Sequence, residues 1–203
     1  MKPEWRSAVR QAMRQAADAE MGPSSCFNYR WEHVEAVATL AMRLAQLTGA
    51  DQEIVEAAAW LHDVTKQDGE EHAETGARFA ARFLPQTDFP EEKIPAVVRA
   101  IAEHKGLWRD EPLTKLESMV LWDADKLSKL GLTAVFHFTG MILAGDGPVT
   151  TRALLADLAD TGWQPKAVAS MHTEPAKQAA ETRLAAYERL LIELDRELNG
   201  RDL

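Results

Sequence analysis

The apolar residues of this chain recur with the period of an α-helix along almost its whole length, and this feature limits its possible folds most strongly. In the segment HVEAVATLAMRLAQLTG, one helix face carries Val34, Val37, Ala38, Ala41, Leu44 and Ala45. No stretch alternates apolar and polar residues with the period of two that is typical of a β-strand, and internal repeats are absent. The sequence therefore predicts an all-α fold.

A short N-terminal helix precedes eight further predicted helices, and Pro- and Gly-containing segments separate several of them. The eight cover 33–49, 51–63, 70–84, 90–106, 113–131, about 132–143, a short segment capped by Thr150 or Thr151, and 174–198. Breaks are expected at MGPSS and AGDGP. We predict a single domain, with an N-terminal helix and connector over 1–24 and a helical domain over 25–203 that ends in a long helix.

Composition excludes several classes of function. The 203-residue chain has a formal net charge of −9, which argues against a broad nucleic-acid or anionic-membrane surface. Its single cysteine, Cys26, excludes an internal disulfide and a cysteine-based metal cage. No apolar run approaches the roughly 18 residues of a membrane span, and a signal-peptide pattern is not seen, so we expect a cytoplasmic protein.

Several of the six histidines lie where core residues are expected. His33, His62 and His104 each continue the apolar stripe of a separate predicted helix. One such histidine is usually a core residue with a hydrogen-bond partner. Several favour a divalent metal, because one ion satisfies many buried polar groups at once. Imidazole and carboxylate ligands without sulfur suit Mn, Fe, Co, Ni or Zn.

The order of His33, the adjacent pair His62 and Asp63, and the later Asp125 resembles the HD superfamily of metal-dependent phosphohydrolases. Further segments are similar to its bacterial branch of stand-alone hydrolases: YRWEHVEAV, AAAWLHDVTK, HAETGARFA, IAEHKG, DADKLSKLG and MHTEPAKQAAETR. The resemblance runs from about residue 29 to 183. It implies an HD-type helical bundle in which those four residues hold one metal.

The resemblance also draws attention to His72 and His104, which occur in the order expected of a dinuclear centre. They are second-metal candidates, and Asp63 could then bridge the two ions through its two oxygens. The alternative is that both histidines contact a substrate phosphate or a water beside a single ion. The sequence therefore leaves open whether one or two metal ions bind per chain.

The last ligand is ambiguous between two aspartates. Asp123 lies on the apolar stripe of its helix, so periodicity would bury Asp123. The family's A-D-x-L register indicates Asp125 instead, and we follow the register, with Asp123 as an alternative that could orient a ligand. His137 and His172 lie outside the ligand series and are expected to be structural or solvated.

Cationic residues near these motifs are candidates for binding a substrate phosphate: Arg30, Lys66, Lys177 and Arg183. Lys66 matches the lysine of the HDxxK form. The alternative is that Lys66 is a solvated lysine at the end of a helix. Lys177 and Arg183 are equally explained by a surface helix face. Glu71 is a candidate proton shuttle or a solvated surface group. The candidate catalytic residues are Asp63, Lys66, His72 and His104.

Together the resemblance and the residues predict a metal-dependent phosphohydrolase acting on a phosphate ester or anhydride of a small metabolite, with a nucleotide as the favoured substrate. The same ligand order also resembles the di-iron oxygenases of the superfamily, and redox iron that consumes oxygen would distinguish them. A non-catalytic helical module that binds a nucleotide is the third alternative. The long last helix could dock on its own bundle or on a second subunit, so the sequence leaves the oligomeric state open.

Overall fold

A computed structural model describes residues 2–22, 26–145, 149–159 and 162–203, and in these ranges the protein contains helices and no strand, which confirms the all-α prediction. The α-helices are α1 (Trp5–Met21), α2 (Tyr29–Thr48), α3 (Gln52–Leu61), α4 (His72–Phe83), α5 (Ile94–Glu103), α6 (Leu116–Ser128), α7 (Leu132–Leu143), α8 (Thr151–Ala159), α9 (Gln164–Ala169) and α10 (Glu174–Leu198). Short 3₁₀ segments cover Lys66–Glu71, Leu84–Gln86 and Glu91–Lys93. None of the described helices has the length and apolar character needed to cross a membrane.

Most predicted helices are present, with differences at their ends. The helix predicted from residue 70 begins at His72, because the preceding residues form a 3₁₀ segment that includes Gly69 at a positive φ of 60°. Helix α9 was not predicted, since six residues with a proline in the first turn are too short for a periodic pattern. Thr150 caps α8, because its hydroxyl accepts from the Ala153 N–H at 3.1 Å. The predicted breaks at MGPSS and AGDGP lie partly outside the described residues, at 23–25 and 146–148.

Helix α6 occupies the centre of the bundle. It packs against α2, α3 and α5 and also contacts α10, and every residue from Val120 to Ser128 is buried. A helix with neighbours on all sides has no solvent face, so a simple apolar stripe does not describe it. This arrangement is why Asp123 and Asp125 are both buried although they lie on different faces.

Small residues let the neighbouring helices approach closely. Ala57, Ala58 and Ala59 of α3 are fully buried, and α3 packs against α2 and α5 through this segment. Helix α1 joins the same core, because Trp5, Val9, Met13 and Ala17 recur every four residues and are all buried. The N-terminal segment is thus packed on the bundle, while the predicted boundary at residue 24 stays a prediction.

Candidate metal centre

The end of helix α3 delivers two polar side chains into the protein interior. The helix begins at the Asp51 cap, whose carboxylate accepts from the N–H groups of Glu53 and Ile54, and it ends at Leu61. His62 and Asp63 follow directly and are 0% and 2% exposed. A core helix that stops inside the protein therefore places an imidazole and a carboxylate at the meeting point of several other helices.

Four other elements add one side chain each to this centre. The side chains are buried and lie in the second turn of α2, at the first residue of α4, directly after α5 and in the last turn of α6: His33, His72, His104 and Asp125. Residues more than 90 positions apart in the chain thus meet in one cluster. The structure brings together all six histidine and aspartate residues that the sequence indicated as metal ligands.

The cluster consists of two triads that share Asp63. Asp63 Oδ2 lies 3.6 Å from His33 Nε2 and 3.7 Å from His62 Nε2. Asp63 Oδ1 lies 3.7 Å from His72 Nε2 and 3.6 Å from His104 Nε2. Each carboxylate oxygen therefore faces a different pair of histidines, which is the arrangement that a bridging ligand between two metal ions requires.

Asp125 extends the first triad to four potential ligands. Its Oδ1 atom lies 3.2 Å from His33 Nε2 and 4.0 Å from His62 Nε2. Two imidazoles and two carboxylates around one position form a nitrogen and oxygen donor set that suits a divalent transition metal.

Backbone carbonyl groups fix the orientation of three of the histidines. Because a carbonyl oxygen can only accept, each of these rings donates its Nδ1–H and keeps a lone pair on Nε2. These hydrogen bonds run from His62 to the Ala59 carbonyl oxygen at 2.8 Å, from His72 to that of Gly69 at 2.5 Å and from His104 to that of Ile101 at 2.5 Å. In each pair the acceptor lies three residues earlier, so the local backbone aims the Nε2 atoms into the cluster.

Several buried polar atoms of the cluster need a partner that a cation would supply. His104 Nε2 and Asp63 Oδ1 are buried and have no hydrogen bond in the described structure, although Lys66 Nζ forms an ion pair with that Asp63 oxygen at 3.3 Å. The Nε2 atoms of His33 and His62 face each other at 3.4 Å. Unpaired buried acceptors are costly, and a divalent cation between them would satisfy several at once. The residues therefore fit a metal.

Four cationic side chains surround the two carboxylates. Arg30 and Lys66 contact Asp63, and Lys126 and Lys129 contact Asp125. Arg30 and Lys66 were predicted from the sequence, but Lys126 and Lys129 were missed. The i,i+4 spacing from Asp125 could have indicated Lys129. Lys126 is 1% exposed, and no local pattern predicts a fully buried lysine.

The buried environment keeps the imidazoles of His33, His62 and His72 neutral, and neighbouring cations keep the carboxylates charged. Burial lowers the pKa of His33 to about 4, and it also lowers the pKa of His62 and His72. Burial opposes ionisation of Asp125, but Lys126 and Lys129 hold the pKa of that carboxyl well below its usual value. Neutral imidazole and ionised carboxylate are the forms that bind metal.

The pKa of Lys126 responds to the same surroundings in the opposite sense. Burial lowers it to about 8, against the attraction of Asp125. The ammonium group also donates to the His104 carbonyl oxygen at 3.1 Å and lies 4.1 Å from the centroid of the Trp122 ring. Lys126 is thus held in place by a carboxylate, a carbonyl oxygen and an aromatic face.

Other predicted site residues lie apart from this cluster. No ion pair or side-chain hydrogen bond in the described ranges connects Lys177 or Arg183 to the cluster; Lys177 is exposed, and Arg183 donates to the Leu127 carbonyl oxygen at 2.6 Å. Glu71 is exposed as well. Their roles in phosphate binding and proton transfer stay predictions.

Asp123 does not face the ligands, which corrects the alternative that it orients one. Its carboxylate accepts from the His172 N–H at 2.9 Å, the Thr173 N–H at 2.7 Å and the Thr173 hydroxyl at 2.7 Å. These bonds hold the turn that precedes α10. His172 in turn accepts the Leu113 N–H at 2.9 Å, and the His137 ring lies 6.3 Å from that of Tyr29, so both have structural contacts.

Comparisons with known proteins agree with this geometry. The HD domain family matches residues 30–130, the segment that carries all six clustered histidine and aspartate residues. A predicted HD superfamily hydrolase from an uncultured Thermotogales bacterium has a TM-score of 0.64 and 23% identity, covering 95% of this chain and 90% of its own. An HD-superfamily hydrolase from Bacillus thuringiensis has a TM-score of 0.66 and 23% identity, with 96% and 98% covered.

The Bacillus subtilis protein YpgQ, whose structure was determined in complex with ADP, has a TM-score of 0.66 and 21% identity, with 95% of this chain and 98% of that chain covered. At these identities the solved structures establish a shared fold, and the family match covers the ligand-bearing segment. With its fold, its ligand order and its clustered histidine and aspartate residues, this chain belongs to the HD domain family.

Proposed function

We propose that the protein is a metal-dependent phosphohydrolase that hydrolyses a phosphate ester or anhydride of a small metabolite. The observation that carries this proposal is the set of four cations beside the histidine cluster: Arg30, Lys66, Lys126 and Lys129. Three carboxylates contact these cations, namely Asp63, Asp125 and Glu20, and Glu20 pairs with Arg30 at 3.0 Å. Cationic residues outnumber anionic ones before any metal ion is counted, and such a site favours an anionic substrate.

The proposed ligands are His33, His62, Asp63 and Asp125 for one ion, with His72 and His104 joining Asp63 around a second. A divalent cation bound there would lower the pKa of a water molecule and neutralise charge that develops on a phosphoryl oxygen. Catalysis of phosphoryl transfer otherwise depends on positioning and on cationic side chains.

Lys66 and Arg30 are suited to orient the phosphoryl group. Both contact Asp63, and the Lys66 side chain is 32% exposed, so its ammonium can reach a substrate that enters from solvent. Lys66 Nζ also donates to His72 Nε2 at 3.1 Å, which connects this lysine to the second triad. We propose that Lys66 holds a phosphoryl oxygen while the two triads hold the metal.

A nucleotide is the favoured substrate within this proposal. The support is the ADP complex of the Bacillus subtilis YpgQ protein, which shares the fold at 21% identity. A diphosphate group is the kind of ligand that metal ions and lysine side chains bind together. The cytoplasmic location predicted from the sequence remains part of the proposal.

The shared Asp63 geometry would also suit the di-iron oxygenase alternative, since two triads could hold two irons. The four cations beside the carboxylates favour hydrolysis, because an oxygenase has no general need for phosphate-binding side chains. A non-catalytic module would keep its function without His62, so the ligand variants test that alternative, and oxygen consumption by bound iron would distinguish the oxygenase.

The deciding experiment measures metal content and phosphate release on chelator-free protein. We expect bound Mn, Fe, Co, Ni or Zn and metal-supported release of phosphate from a panel of nucleotides and simple phosphate esters. His62→Ala and Asp63→Ala should each abolish metal binding and turnover while the circular-dichroism spectrum stays helical. Asp157→Ala, on the exposed face of α8, is the control. Full activity in either ligand variant, or no metal uptake by the wild type, would refute the proposal.

A further inference from the structure

His33 is the one histidine of the two proposed metal-binding triads whose Nδ1 atom is not held by a backbone carbonyl group three residues earlier. It lies in the second turn of α2, and its Nδ1 atom is 3.1 Å from the Ser128 hydroxyl oxygen at the end of α6. The two residues are 95 positions apart in the chain and are 1% and 2% exposed.

The direction of this hydrogen bond follows from the single proton of the serine hydroxyl. Ser128 donates that proton to the Asp125 carbonyl oxygen at 2.7 Å. Its oxygen can then only accept from His33, so His33 must carry its proton on Nδ1 and present a lone pair on Nε2. That lone pair faces Asp63, His62 and Asp125 in the centre of the cluster.

From these contacts we infer that Ser128 is a positioning residue of the metal centre, which selects the metal-binding tautomer of His33. This inference rests on the proposed metal site. Ser128 performs for His33 the task that the backbone carbonyl groups perform for His62, His72 and His104. Helix α6 therefore contributes both the ligand Asp125 and, three residues later, the hydroxyl that prepares His33.

A neighbouring ring supports the same orientation. The Tyr29 ring stacks on the His33 ring with an interplanar angle of 10° and a centroid distance of 6.0 Å. Stacking restrains the ring plane but leaves both tautomers possible, since it does not involve the ring nitrogens. Asp125 Oδ1 lies 3.2 Å from His33 Nε2 and would accept from an Nε2–H in the metal-free protein, so Ser128 favours the metal-binding tautomer against this carboxylate.

The first readout does not require a metal. In chelator-treated protein with ¹⁵N-labelled histidine, two-bond ¹H–¹⁵N correlation spectra report which ring nitrogen carries the proton. The His33 signals are identified by their loss in His33→Gln. We expect the Nδ1–H form in the wild type and a changed tautomer population in Ser128→Ala. Ser128→Thr keeps the hydroxyl and should retain the wild-type form.

The second readout is the affinity for Co²⁺, followed by its visible absorption. Loss of a residue that orients a metal-binding histidine typically weakens metal binding by about tenfold or more, and we expect this for Ser128→Ala with recovery in Ser128→Thr. Ser118→Ala is the matched control, because Ser118 is a buried serine of the same helix and lies two to three turns from the centre.

The outcomes separate this inference from the proposed function. If the wild type binds no metal, the proposed function fails, whereas the tautomer spectra still test the role of Ser128. If Ser128→Ala keeps the wild-type tautomer, or binds Co²⁺ as tightly as Ser118→Ala does, the positioning role is overturned. Circular dichroism of each variant excludes misfolding as the cause of weaker binding.

Discussion

The buried ammonium of Lys126 donates a hydrogen bond to the backbone carbonyl oxygen of His104 at 3.1 Å, and this bond joins helix α6 to the end of α5. The same ammonium contacts Asp125, so one lysine couples a proposed ligand of the first triad to the backbone of a proposed ligand of the second. Lys126 thus has a structural role beside its contribution to the charge of the site.

We predict that Lys126→Met lowers the free energy of unfolding of the metal-free protein by about 3 kcal/mol, because it leaves Asp125 with one cation fewer and the His104 carbonyl without its donor. Urea unfolding in the presence of a chelator measures this. Lys105→Met, which removes a half-exposed lysine paired with Glu70 at 3.5 Å, should change stability by less than about 1 kcal/mol. Equal effects of the two substitutions would contradict the role given to Lys126.

The two aspartates of the DAD segment offer a matched pair of variants. Asp123→Asn should destabilise the protein by about 2 kcal/mol, because three hydrogen bonds to the turn before α10 are weakened, but it should keep the metal content. Asp125→Asn should lower the metal affinity instead. Thermal unfolding and metal analysis of both variants check the assignment. Loss of metal from Asp123→Asn alone would reverse it.

The sharing of Asp63 predicts how metal stoichiometry responds to substitution. We expect about two ions per chain in the loaded wild type, about one in His104→Gln, and none retained in Asp63→Asn, since that side chain faces both triads. Plasma mass spectrometry after desalting gives the ratio. A wild type with about one ion, unchanged in His104→Gln, would show a mononuclear centre in which His72 and His104 contact the substrate.

Metal-free protein should lose stability as the pH falls from about 7 to about 5. The pKa of His33 is about 4 in the folded protein, below the ordinary value of 6.5, so the unfolded chain binds more protons in this range. The contribution of His33 to the free energy of unfolding is therefore fully present above the pKa that this residue has in the unfolded chain, and it declines below that pKa. His62 acts in the same direction. Urea unfolding of wild type and His33→Gln across this range should give a shallower pH dependence for the variant; parallel curves would contradict the burial argument.

Substrate binding should depend on Lys66 more than on Lys177. Lys66→Met removes a charged contact beside Asp63 and should lower kcat/KM by about tenfold for whichever phosphorylated compound the wild type hydrolyses. Lys177→Met changes an exposed side chain of α10 and should have little effect. Steady-state kinetics of both variants decide whether the sequence-based prediction for Lys177 survives.

Much of the fold and most of the site could be predicted from the sequence. The 3.6-residue period of the apolar residues indicated an all-α protein, and the long last helix was predicted with the bounds that α10 has, because local periodicity is a property of the chain itself. The ordered histidines and aspartates resembled the HD superfamily, and the structure brings His33, His62, Asp63, His72, His104 and Asp125 into one cluster.

The tertiary structure alone decided which faces of α6 meet which partners. Periodicity treats a helix as having one buried side, whereas α6 is enclosed on all sides, so Asp123, Asp125, Lys126 and Ser128 are all buried with different tasks. The hydrogen bond from His33 to Ser128 spans 95 residues, and no local pattern encodes such a contact. The sequence thus determined the helices and the donor types, and helix packing decided which donors share a site, because packing depends on contacts between segments far apart in the chain.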